Sequence, residues 1–62
     1  MDLIDAMNLW ERIGGTFSSI SNEKEYITQF VWDGVVEGHV KAVSGGIFWN
    51  WPQRLLDAKE VA

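Results

Sequence analysis

Apolar positions change their period along this chain, and each change marks an element. At the start they recur at three- and four-residue steps. Leu3, Ala6, Met7, Trp10 and Ile13 share one face, while Asp5, Asn8, Glu11 and Arg12 fill the other. This predicts an amphipathic helix over residues 2–13. Asp2 is placed to cap its first turn, and Asp2 and Asp5 both sit at the positive end of the helix dipole. Gly14–Gly15 ends the helix, as glycine commonly does just past a C-terminus.

Thr16 to Lys24, T-F-S-S-I-S-N-E-K, is a polar connection with two apolar anchors, Phe17 and Ile20. From Tyr26 the period falls to two. Tyr26–Trp32 and Val35–Val43 flank Asp33–Gly34, and Asp-Gly between β-branched and aromatic runs is the strongest short-range hairpin signal. Direct pairing across that turn puts Val36, Val40 and Ala42 on one face with Ile27 and Val31. Glu37, His39 and Lys41 then lie on the other, beside Tyr26, Phe30 and Trp32, with His39 opposite Thr28. Gly45–Gly46 turns the chain into a third strand, Ile47–Trp51, and Pro52, which has no N–H to donate, ends it. A terminal helix over Pro52–Val61 follows, with Leu55 and Ala58 continuing the face begun by Trp51 and Leu56 off that stripe.

The predicted fold is therefore α+β: one small domain over residues 1–62, with an N-terminal helix, a three-stranded antiparallel meander and a C-terminal helix. An all-α arrangement of three helices competes, because Asn22-Glu23-Lys24-Glu25 can also serve as a capping box for one long helix. Inside such a helix Gly34 and Gly38 each cost about 1 kcal/mol relative to Ala, and seven β-branched residues between 27 and 43 add to the penalty. No one-sided stripe emerges either, since Trp32, Val36 and Val40 lie opposite Ile27 and Val31. Gly34, Gly38 and Ala42 also have the four-residue spacing that lets membrane helices approach closely. Asp33, Glu37, His39 and Lys41 would make that helix expensive in lipid, so the glycines are expected to serve a turn and a close backbone approach.

Size adds a constraint. A chain of 62 residues buries only about 60% of its unfolded surface, and domains this small lean on disulfides, a metal or association. There is no cysteine, and His39 is the only histidine, so disulfides are excluded and a four-ligand zinc site is not expected. Association, with a second copy or with a protein partner, is the remaining route. Nine acidic residues against five basic ones give a net charge of −4. That balance lacks the basic footprint of nucleic-acid binding and steers the chain toward a basic protein partner. No apolar run is long enough to cross a membrane, and Asp2 and Asp5 stand where a secretory signal carries positive charge. The expected compartment is the cytoplasm, which suits a chain without cysteine.

Catalytic candidates are few. His39 could act as a base oriented by Glu37 or Asp33, but no nucleophile motif lies near it, and a cross-strand surface residue explains it as well. Asp2/Asp5 and Glu23/Glu25 sit at element ends, where capping and solvation account for them. The glycine pairs lack the spacing of phosphate or dinucleotide loops. The chain is expected to be no enzyme and to use no cofactor.

The aromatic residues carry the functional expectation. Six of the eight fall between Tyr26 and Trp51, and two short helices can cover only one face of a sheet well. Phe30 and Trp32 are the expected exposed pair, rimmed by Glu37 and His39 and joined by Trp49 and Trp51, so these six residues form the candidate protein-binding surface. The expected function is a small acidic inhibitor, adaptor or antitoxin-like protein. A different class competes: Met1–Gly15, ending in Gly14–Gly15 with Ile4 and Leu9 as apolar positions, resembles the double-glycine leader of exported bacteriocin-like peptides. The resemblance implies processing after Gly15 and a membrane-active product, helical in lipid. Arg12 and Asn8 depart from the leader pattern, and the remaining segment is net acidic, where such peptides are generally cationic.

Overall fold

The first helix, α1 (Leu3–Arg12), forms where the apolar period and its flanking residues predict it. The Asp2 carboxylate accepts a hydrogen bond from the Ile4 amide at 2.8 Å, satisfying one of the free donors of the first turn. At the other end the Gly14 amide donates to the Glu11 carbonyl (3.2 Å) and the Gly15 amide to the Trp10 carbonyl (2.8 Å). Those two bonds are the Schellman closure, and Gly14 supplies the positive φ of 106° that it requires. Gly15 has a second role: a side chain there would run into the Trp10 indole. The computed structural model describes residues 2–61.

Beyond the helix the chain makes β1 (Thr16–Ser21), β2 (Glu25–Trp32), β3 (Val35–Val43) and β4 (Gly46–Asn50), and ends in α2 (Gln53–Val61). The four strands pair in sequence order, each antiparallel to the next. The architecture is α+β as expected, and residues 25–43 are a hairpin rather than part of a helix. The meander nevertheless has four strands where three were predicted, because Thr16–Ser21 is a strand and not a loop. Asn22 does not cap a helix. Its side-chain oxygen accepts from the Lys24 and Glu25 amides (2.9 and 3.0 Å) and closes the β1–β2 turn. Asp33 and Gly34, with φ of 51° and 80°, form the left-handed two-residue turn between β2 and β3.

The predicted facing of β2 and β3 needs correction. Phe30 pairs with Gly38 but Val31 pairs with Val36, so Glu37 is an extra residue on β3, a β-bulge. A one-residue slip exchanges the faces of everything beyond it. Thr28 therefore stands opposite Val40, and His39 stands opposite Gln29 rather than Thr28. One face now carries three cross-strand rows: Phe17, Phe30 and Gly38; then Ser19, Thr28, Val40 and Trp49; then Ser21, Tyr26, Ala42 and Ile47. Gly38 is required in the first row. The chain passes over it on the way from β4 to α2, and a Cβ there would overlap the Asn50 carbonyl and the Pro52 ring.

Both helices pack on the first row. Trp10, Phe30 and Leu55 are completely buried, with Ala6, Val40 and Pro52 beside them. The Trp10 indole N–H donates to the carbonyls of Thr16 (3.0 Å) and Val31 (3.2 Å), a cross-strand pair, and so ties α1 to the seam between β1 and β2. Removal of residues 2–15 would take Ala6 and Trp10 out of this core. The Cα trace measures 37 × 23 × 15 Å, two layers deep, so the opposite face of the sheet has no helix over it.

Candidate protein-binding surface

Five of the six candidate residues fall into three environments, and the sixth, His39, stands apart from them. Phe30 is in the core, against Trp10, Phe17 and Trp51 at ring-centroid distances of 5.7, 5.3 and 5.8 Å. It is fully buried and offers nothing to a partner, contrary to the expectation of an exposed Phe30/Trp32 pair. The cause is the bulge, which turns Phe30 and Val40 to the same side and lets α1 cover them.

Trp32 and Glu37 form a second group at the edge of that core. The Trp32 ring meets Trp10 edge-on at 5.5 Å, and the Arg54 guanidinium of α2 lies 4.1 Å from its centroid on the other side. Glu37 accepts from Arg54 through both oxygens, at 3.1 Å from Nε and 3.4 Å from Nη2. That hydrogen bond raises the Arg54 pKa above its ordinary value. The bulge is what turns Glu37 toward α2, so this trio latches the second helix to the sheet. An open depression of about 500 Å³ lies beside it, lined by Glu37, Gln53, Arg54 and Asp57. Its polar groups are bonded to one another, Gln53 donating to Asp57 at 3.0 Å. His39 is apart from all of these, on the outer face between Gln29 and Asn50. Neither Glu37 nor the Asp33 turn orients it. Among the described residues no group of three His, Asp or Glu side chains gathers as a metal site, and no helix is long and apolar enough to cross a membrane.

Trp49 and Trp51 belong to the third environment. Trp51 is half-buried on Phe30, and Trp49 leans on Trp51 at 6.2 Å. A continuous run of rings thus leads from Trp10 in the core through Phe30 and Trp51 to Trp49, which is 59% exposed. Two residues that the sequence reading did not select complete the surface: Ile47 and Phe48, 60% and 56% exposed. Ile47 and Trp49 project from the helix-side face and Phe48 from the outer face, and all five residues of β4 are exposed. A shallow recess of about 240 Å³ lies against the three apolar side chains. The signal is present in the sequence, as three consecutive large apolar residues between a glycine and an asparagine, of which only Trp49 was among the six candidates.

Tyr26 closes the open end of the helix-side face, one row from Val40 and half-exposed. Its hydroxyl reaches Ser19 Oγ at 3.5 Å, and hydrogen bonding to Ser19 and Thr28 holds the phenol below its usual range. Exposed apolar side chains also occur on α1 (Leu3, Ile4), on β1 (Ile20) and at the start of β3 (Val35, Val36), but only β4 exposes three large ones in succession. No family model, curated protein or solved structure matches the chain.

Proposed function

We propose that the chain is a non-enzymatic protein-binding module, of the inhibitor, adaptor or antitoxin-like kind, that docks through β4 and not through Phe30 and Trp32. The observation that carries this reading is the exposure of Ile47, Phe48 and Trp49 together, in a strand with no partner on its far side. Exposed apolar residues scattered singly need no explanation, but three in succession on a sheet edge invite pairing. Trp49 also leans on the Trp51 ring behind it, which limits the rotamer freedom lost when a partner covers it. A chain without cysteine suits the cytoplasm.

The test is a paired capture. Wild type and Trp49→Ser are immobilised side by side, shown by circular dichroism to share one fold, and exposed to the same lysate. The expected result is a protein retained by wild type and lost by the variant. Identical sets of bound proteins on the two columns would contradict the reading.

A further inference from the structure

We infer that the occupant of the β4 edge is a second copy of this chain, joined by antiparallel β4–β4 pairing into one eight-stranded sheet. The inference rests on the reading of β4 as the docking surface. The two edges of the sheet differ. β1 and β4 are both terminal strands, and in an antiparallel ladder alternate residues of a terminal strand turn their N–H and C=O groups outward, unpaired. On β1 the side chains are mostly hydroxyls, T-F-S-S-I-S, and its single half-buried apolar residue, Phe17, points into the core. Neither edge carries a charge, a proline or a bulge. They differ in apolar surface: β4, G-I-F-W-N, exposes Ile47, Phe48 and Trp49, where β1 exposes only Ile20.

Charge selects the occupant. All nine carboxylates lie on other parts of the chain, in or beside α1 and α2, in the turns after β1 and β2, and on β2 and β3. Lys41, the neighbour of Phe48 across the ladder, is already paired with Glu25 at 3.2 Å. The strand therefore presents no charge for a basic partner to read. For the same reason two copies of an acidic chain can meet there without placing carboxylate against carboxylate.

Symmetry selects the register. With the two-fold axis at Phe48, each Phe48 faces its twin on the outer face. Ile47 of each copy then faces Trp49 of the other on the helix-side face. Both pairings join side chains that already project from the same side of the sheet, as a two-fold antiparallel ladder demands. Cross-strand aromatic and aromatic–aliphatic pairs of this kind are the favourable ones in sheets. A five-residue edge spans about 17 Å, so the interface falls at the small end of specific contacts, and the dimer is a reversible one.

Sedimentation equilibrium over a range of concentrations tests this, using wild type, Ile47→Lys, the milder Ile47→Thr and a matched charge on the other edge, Ile20→Lys. All four are checked for folding by circular dichroism. Wild type and Ile20→Lys are expected to pass from one chain mass to two as concentration rises. Ile47→Lys is expected to remain at one, and Ile47→Thr to dimerise about tenfold more weakly. A dimer that persists in both Ile47 variants overturns β4 pairing. A wild type that stays monomeric throughout also overturns it, and in that case Trp49-dependent capture from a lysate leaves the docking surface itself standing. A wild-type monomer that shows no such capture removes both.

Discussion

The helix-side face of the sheet has two ends made from the same kinds of residue and used in opposite ways. At the end of Phe30 and Gly38, aromatic side chains are enclosed: Trp10 and Phe30 have no exposed surface, the Trp10 N–H has two carbonyl partners, and Pro52 is pressed onto a glycine. At the end of Ile47 and Tyr26, side chains of the same size stand half or more exposed with only neighbours in their own sheet. Residue type does not separate the two ends. Reach does: α1 and α2 enter and leave the sheet at the Phe30 end and are too short to cover the other. A tryptophan-rich composition is thus divided by topology into a part that holds the fold and a part left for contact.

The sharpest way to break this comparison is to remove the same atoms from each end. Trp10→Ala is expected to cost about 3–5 kcal/mol, the usual loss for a buried aromatic. A 62-residue domain has about 3–9 kcal/mol in all, so the variant should be largely unfolded by circular dichroism at room temperature. Trp49→Ala, measured by urea denaturation at concentrations where the chain is monomeric, is expected to stay within about 0.5 kcal/mol of wild type. Equal losses at the two sites would erase the distinction. Gly38→Ala falls between them. The new methyl group meets Asn50 and Pro52, and overpacking of that sort costs about 1–3 kcal/mol, read as a lower urea midpoint with an unchanged slope. Trp32→Ala should likewise lower stability, since Trp32 bridges Trp10 and Arg54 and is not a free surface residue.

Much of the fold was legible in the sequence, and the part that was not has definite causes. The N-terminal helix, its Asp2 cap, the Gly14 stop and the Asp33–Gly34 hairpin each follow from local signals that the fold did not override. β1 was hidden because its two apolar residues, Phe17 and Ile20, are an odd number of positions apart and point to opposite faces, so no alternation appears. The bulge at Glu37 was hidden because a single extra residue leaves the run of strand formers unbroken. Gly38 was its only marker, since an isolated glycine within a strand often signals a bulge or a close approach, and here it signals both. That one residue moved the candidate surface. With Phe30 turned inward, the site passed from Phe30 and Trp32 to β4, where only Trp49 of the original six is well exposed.

The smallest expected effect sharpens the open end of the comparison. Tyr26 is the only tyrosine, so its titration can be followed by ultraviolet absorbance without ambiguity. Hydrogen bonding with Ser19 and Thr28 lowers its pKa, so ionisation should begin below that of a free phenol, and Ser19→Ala should move it upward. A folded pKa below the unfolded one adds stability above the unfolded value and loses it as pH falls through the folded value. The contribution therefore appears only in the alkaline range and leaves stability at neutral pH unchanged.

The central claim is that β4, and no other part of the surface, is built to be paired. Amide hydrogen exchange resolved by residue, at low and at high protein concentration, reads that claim directly. Alternate amides within residues 46–50 are expected to gain protection as concentration rises, while the outward amides of β1 exchange at the same rate throughout. Equal exchange of the β4 amides at both concentrations, or protection that grows on β1 instead, would contradict it.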